Sequence, residues 1–163
     1  MSNLWSPWRM EYINNRSGSD ECPFCLALKD ITEGGSLIIY RGKKSFVMLN
    51  RYPYTSGHLM VLPYLHVEKL TGLDQETRGE MMELIQISSS VLEEVYRPEG
   101  FNIGLNLGTA AGAGLPKHLH WHVVPRWQGD TNYMTSVGGV RVIPEALEDT
   151  LIKVRSRWQD FLP

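Results

Sequence analysis

Cysteine is scarce in this chain of 163 residues, which has only Cys22 and Cys25. A disulfide framework is thereby excluded. Long apolar runs are also missing. None approaches the ~18 residues that a membrane-spanning helix needs. Neither sign of charge dominates: 16 basic and 18 acidic side chains leave a formal charge of −2. No bulk field draws such a chain to nucleic acid or to a membrane surface. A phosphate-bearing ligand would have to be held locally. The stretch from Met1 to Ile13 lacks the apolar middle of a signal peptide. A cytoplasmic protein is expected. No repeat, low-complexity tract or long linker interrupts the sequence.

What is present fits one domain. At 42% apolar residues the chain can bury a core. Residues 1–20 form an N-terminal arm carrying Trp5, Pro7, Trp8 and Tyr12, and Ser17–Asp20 is its closing loop. So much aromatic surface must pack on the domain itself or on a second subunit. Cys22–Cys25 reads as a turn. Leu37–Tyr40 and Phe46–Leu49 flank Arg41–Lys44 as a hairpin. His58–Leu62 is a third strand, stopped by Pro63.

The longest helix is capped by Asp74. Met81, Leu84, Ile85, Ser88, Leu92 and Val95 recur along it at helical spacing. Its methionines read as core filler, and Arg97–Gly100 ends it. Phe101–Leu107 and Leu119–Val124 are further strands, around a small-residue loop at Gly108–Gly114. A last helix is expected from Pro144, with Leu147, Leu151, Val154 and Trp158 on one side. Strands cluster around one long helix without strict alternation. The fold class expected is α+β with a mainly antiparallel sheet of about five strands.

Three of the five histidines stand at His118, His120 and His122. On a strand, alternate side chains share a face, so the imidazoles would line up roughly 7 Å apart. Leu119, Trp121 and Val123 would enter the core. Such a row suits catalysis or metal binding. Upstream, Gly108, Gly112, Ala113 and Gly114 carry almost no side chain. Their backbone amides could cradle an anion.

His118-Leu119-His120-Trp121-His122-Val123-Val124 resembles the signature of the histidine triad (HIT) family, His-φ-His-φ-His-φ-φ with φ apolar. Leu49-Asn50 with Gly57–Pro63, and Phe101–Asn106, resemble the family's nucleotide-binding strands. The likeness covers roughly residues 20–127. The N-terminal arm and Pro125-Arg126-Trp127 resemble a bacterial branch related to diadenosine tetraphosphate phosphorylases. The resemblance implies a single HIT-like domain over 1–163, with a core at 21–127 and a C-terminal extension at 128–163.

By that resemblance His120 is the nucleophile that attacks an α-phosphorus and forms a nucleotidyl-histidine. His122 contacts the phosphates or assists the leaving group, and His118 orients the nucleophile. A neutral imidazole, with an ordinary pKa of about 6.5, suits the attack. Its other ring nitrogen should donate to a backbone carbonyl. Asn50 matches a ribose-binding position and Asn106 a position near the phosphates. Many relatives carry Gly-Gln-Ser or Gly-Gln-Thr before the triad. This chain reads Ala111-Gly112-Ala113-Gly114-Leu115-Pro116-Lys117 instead, with no hydroxyl or amide. The altered loop resembles the phosphorylase branch, in which inorganic phosphate is the acceptor. Lys117 or Arg126 could supply charge to a polyphosphate.

Cys22 and Cys25 alone are half a zinc site. A redox pair would want a strand just before it, and residues 16–21 do not read as one. Some triad proteins complete such a site with two histidines, which here are His66 and His118. A structural zinc on Cys22, Cys25, His66 and His118 is therefore expected. His58 reads as a structural histidine hydrogen-bonded within the fold. The partners implied are an adenine nucleotide or dinucleoside polyphosphate, inorganic phosphate and a second copy in a homodimer, with no nucleic acid or membrane. The alternatives are an adenosine phosphoramidate hydrolase and, from another class, a nucleotide-binding scaffold.

Overall fold

The computed structural model describes residues 21–29, 36–131, Val137 and 143–162. The aromatic arm at 1–20 lies outside them. The elements are α1 (Pro23–Lys29), β1 (Ile38–Arg41), β2 (Ser45–Leu49), β3 (Leu59–Pro63), α2 (Gln75–Tyr96), β4 (Gly100–Leu105), β5 (Trp121–Arg126) and α3 (Leu147–Trp158). The five strands form one antiparallel sheet in the order β1-β2-β3-β5-β4. The α+β expectation holds. Among the described residues, no helix is long and apolar enough to cross a membrane.

Alternation along the strands separates two cores. Val47, Leu49, Leu59, Val61 and Val123 face α2 and α3. Phe46, Met48, Met60 and Leu62 face the other way, toward Phe24 of α1. Helix α2 buries Met81, Leu84, Ile85, Ser88, Val91 and Leu92 on the first face. Each fully buried leucine or valine there contributes about 1.5–3 kcal/mol. Met82 departs from the core-filler reading. Its side chain is 55% exposed, because one step along a helix turns about 100° away from the buried stripe.

Asp74 caps α2 as expected, its Oδ1 accepting the Thr77 amide at 2.7 Å. At the other end Arg97 adopts φ 47°, ψ 54°, while its amide donates to Glu93. Glycine usually fills that left-handed position. The β1–β2 turn is stapled to α2 by Glu80, whose carboxylate accepts the amides of Lys43 and Lys44 at 2.7 and 2.8 Å. At the outer edge of β1, the Arg155 guanidinium of α3 donates to the carbonyls of Ser36 and Ile38.

Several boundaries differ from the sequence reading. The Cys22–Cys25 segment is no isolated turn, since it opens α1, with Pro23 at the first helical position. Pro63 is the last residue of β3 and does not stand beyond it. Helix α3 starts at Leu147 instead of Pro144. The Thr150 hydroxyl donates to Glu145, and Ala146 stays extended as the N-cap. Strand β4 ends at Leu105, and the following loop contains a 3-10 turn at Thr109–Ala111. Strand β5 begins at Trp121, two residues later than expected, because the Leu119 amide donates to Val67 outside the sheet.

Replacing Arg97 by Gly should remove the left-handed strain at the end of α2. The unfolding free energy is expected to rise by about 1 kcal/mol. Urea denaturation should show a higher midpoint with an unchanged slope. A lower midpoint would mean that the Arg97 side chain contributes more than its backbone costs.

Candidate active site

The site lies on the α1 face, where β3, β5 and β4 meet. His122 sits within β5, opposite Met60 on one side and Gly104 on the other. His118 and His120 precede the strand, yet their rings reach the same face. The Phe24 ring of α1 touches both, at centroid distances of 5.5 and 5.2 Å. The rings of His120 and His122 are 5.0 Å apart at 79°. That is closer than a regular strand would set them, since the chain at His120 is not yet in the ladder.

Hydrogen bonds assign the tautomers. His120 Nδ1–H donates to the carbonyl of His118 at 2.8 Å, leaving a lone pair on Nε2. This is the carbonyl acceptor that the sequence called for without naming it. His118 Nε2–H donates to the carbonyl of Pro63 at 3.0 Å, leaving its Nδ1 toward the thiols. His58 Nδ1 accepts the Tyr54 amide at 3.1 Å and lies 3.3 Å from Asn50 Nδ2. The proton of His58 therefore resides on Nε2, which donates to His122 Nδ1 at 2.9 Å. His122 is left with an Nε2–H. One imidazole thus offers a nucleophilic lone pair, and its neighbour a donor.

Burial dominates the electrostatics. It pushes His120 below the ordinary imidazole range, against the opposing pull of the bond to His118. Burial also pushes His122 down to about 4, with His120 beside it adding to the effect. Both rings are neutral at pH 7.

Cys22, Cys25, His66 and His118 come together as the sequence reading required. Their ligand atoms all lie within 4.8 Å of one another. Cys22 Sγ is 3.4 Å from His118 Nδ1, and Cys25 Sγ is 3.3 Å from His66 Nδ1. Two sulfurs and two imidazole nitrogens form a donor set that suits zinc. Burial, reinforced by the Cys22 thiol, raises the Cys25 thiol above its usual range. A depression of about 460 Å³ beside this cluster, between His66, Lys69, Thr71 and Lys117, does not include the His120–His122 pair. Lys117 therefore lines the metal side of the molecule.

Other candidates are placed differently. Asn50 ties its own loop together, with Oδ1 accepting the Tyr52 amide at 3.0 Å and Nδ2 facing His58. Arg126 is held by Asp130 and Asn102. Gly108 and Gly112 have φ of 80° and 87°, which favours glycine. The Gly112 and Ala113 amides donate to Thr109 and Gly108 within the loop, so neither is spare for an anion. Asn106 opens the irregular segment between β4 and β5, and Gly114 falls near its middle.

Sequence reasoning underrated two residues. His58 is hydrogen-bonded within the fold, as expected, but its partner is a triad histidine. Phe24 lies inside the Cys22–Cys25 segment, where nothing in the sequence marks it as a contact of the triad rings. The clue to His58 was its place just before the strand that pairs with β5.

A family profile described as HIT domain matches residues 32–129. The chain belongs to the histidine triad family. It is a catalytic domain of the family's nucleotidyl hydrolase and transferase kind. An AP-4-A phosphorylase of Mycobacterium tuberculosis is 43% identical over 166 residues, which cover 97% of this chain and 85% of that protein. A zinc-bound histidine triad family protein from Mycobacterium smegmatis superposes with a TM-score of 0.69 at 29% identity, covering 88% and 96% of the two chains. A histidine triad nucleotide-binding protein from Sulfolobus tokodaii also gives 0.69, at 26% identity, covering 85% and 93%.

Because the triad's His122 is depressed in the folded state, the unfolded chain takes up protons first on acidification. Stability should therefore fall as pH drops from about 6.5 toward about 4. An NMR titration should place the His122 midpoint well below 6.5. A midpoint near the ordinary value would contradict the burial of the His122 ring beside His120.

Proposed function

We propose that the protein cleaves dinucleoside polyphosphates through a nucleotidyl-His120 intermediate, with diadenosine tetraphosphate as substrate and inorganic phosphate as acceptor. The observation that carries this reading is the His120 Nδ1–H bond to the His118 carbonyl. It fixes a nucleophilic Nε2 beside the donor Nε2–H of His122. The 43% identity to a phosphorylase across nearly the whole chain supports the substrate class.

His120 Nε2 attacks the α-phosphorus, and the bond to the bridging oxygen breaks. ATP leaves, and adenylyl-His120 remains. The new imidazolium is stabilised by its Nδ1–H bond to the His118 carbonyl. His122 Nε2–H donates to the oxygen on which charge develops. Phosphate then attacks the same phosphorus, displaces His120 and gives ADP. A polyphosphate leaving group needs no proton at neutral pH, because its last ionisation lies near 6. An amine leaving group does need one. The absence of a Ser or Thr hydroxyl before the triad therefore fits an anhydride substrate better than a phosphoramidate. A triad with a correctly protonated nucleophile is also more than a nucleotide-binding scaffold requires.

Cys22, Cys25, His66 and His118 would hold zinc, and the ion would supply a cross-link between α1 and the segment entering β5. The whole chain, 1–163, is read as one triad domain, with its arm and C-terminal extension serving it. Two thiols kept as ligands fit a reducing cytoplasm. Among the described residues strand β4 is a sheet edge, with Ile103 45% exposed, which fits a sheet continued across a homodimer.

Incubation with diadenosine tetraphosphate should yield ADP plus ATP only when phosphate is present, and His120→Asn should lose this turnover while still binding nucleotide. Product without phosphate would make the enzyme a hydrolase. No product at all would overturn the substrate assignment. Elemental analysis should find about one zinc per chain, falling in Cys25→Ser together with a lower melting temperature. Metal-free protein of unchanged stability would refute the zinc reading.

A further inference from the structure

His122 must keep its Nε2–H aimed at the substrate, yet its surroundings hold it unevenly. Across β4 its register partner is Gly104, and among the described residues no heavy atom stands within 4 Å of where a Cβ would sit there. That side gives the imidazole room to swing. Among the described residues, the rings in contact with His122 are those of His120, His58 and Tyr54. His120 meets it edge-on, and the Tyr54 ring lies nearly parallel to it, at 5.8 Å and 29°.

Tyr54 also packs on His58 at 4.5 Å, and its amide is the donor that leaves the His58 proton on Nε2. The Tyr54 backbone is well anchored, because its loop is tied at both ends. The Asn50 amide donates to the His58 carbonyl at 2.9 Å, and the Thr55 hydroxyl donates to the Pro125 carbonyl of β5, also at 2.9 Å. Gly57 turns with φ 77° in a space where a Cβ would stand 2.9 Å from Leu92. Tyr54 nevertheless remains 42% exposed.

We propose that Tyr54 is a positioning residue for the triad, its ring holding His122 in line while its amide fixes the tautomer of His58. The proposal rests on the functional reading above for its kinetic consequence only. Ring contact, and not the hydroxyl, carries the effect. The backbone amide survives any side-chain substitution, so the two contributions separate experimentally.

The test compares Tyr54→Phe and Tyr54→Leu in the full chain, after thermal unfolding shows that both fold, with Tyr54→Met replacing the leucine variant if it does not. Turnover of diadenosine tetraphosphate with phosphate is measured alongside nitrogen-15 NMR of the imidazoles. Tyr54→Phe should stay within about twofold of the parent, whereas Tyr54→Leu should lose about tenfold in kcat with KM nearly unchanged, the pattern of a misaligned group. The His122 Nε2–H signal should remain single in the phenylalanine variant and broaden or divide in the leucine variant. A raised KM at constant kcat would overturn the proposal, because Tyr54 would then touch the substrate. Loss of kcat in Tyr54→Phe would overturn it in favour of the hydroxyl, and unchanged kinetics with unchanged imidazole signals would show the ring to be idle. If the parent turns over nothing, the functional reading fails, and the NMR comparison still decides the role of Tyr54.

Discussion

A single hydrogen bond, from His120 Nδ1–H to the carbonyl of His118, decides which nitrogen of the central imidazole keeps its lone pair, and with it the proposed attack. The surrounding fold holds that carbonyl still. The Leu119 amide is drawn to Val67, outside the sheet, and the His118 ring is pinned to Pro63 at the end of β3. The peptide between His118 and Leu119 is thus fixed from both sides. His118 has a second role, because its remaining ring nitrogen faces the two thiols. Any stiffening of that cluster would be passed directly to the carbonyl that accepts the His120 Nδ1–H.

Burial makes this arrangement unambiguous. A polar group left unpaired away from water costs about 1–3 kcal/mol, so each buried ring is driven into one tautomer. His58 is fully buried, His118 and His120 nearly so. Each donates to one defined acceptor, and His122 Nδ1 accepts the hydrogen bond from His58 Nε2–H. Burial also opposes protonation, so the neutral pair that the proposed attack requires is the stable form at neutral pH. The stabilising and the chemical requirements therefore coincide in one set of bonds.

The sheet, its two apolar faces and the long helix were legible because they rest on periodicity. Val47, Leu49, Val61 and Leu92 sit where alternation or helical spacing puts them. The triad and the Cys2His2 set were legible as residue types and as a likeness. What the sequence could not supply depends on register and on irregular chain. The pairing of Met60 with His122 brings His58 to the triad, and no local pattern encodes that distance of 64 residues. The start of β5 moved because a side interaction with Val67 competes with the ladder. The glycine loop looked like an anion cradle by composition, but two of its amides close its own turn.

The most direct test of the central claim is a rapid acid-free quench of enzyme with radiolabelled diadenosine tetraphosphate, followed by peptide mapping. A label on the peptide carrying His120, stable to base and lost in acid as a phosphorus–nitrogen bond requires, is the predicted result. Turnover at full rate with no labelled peptide, or a label on another residue, would contradict a covalent role for His120.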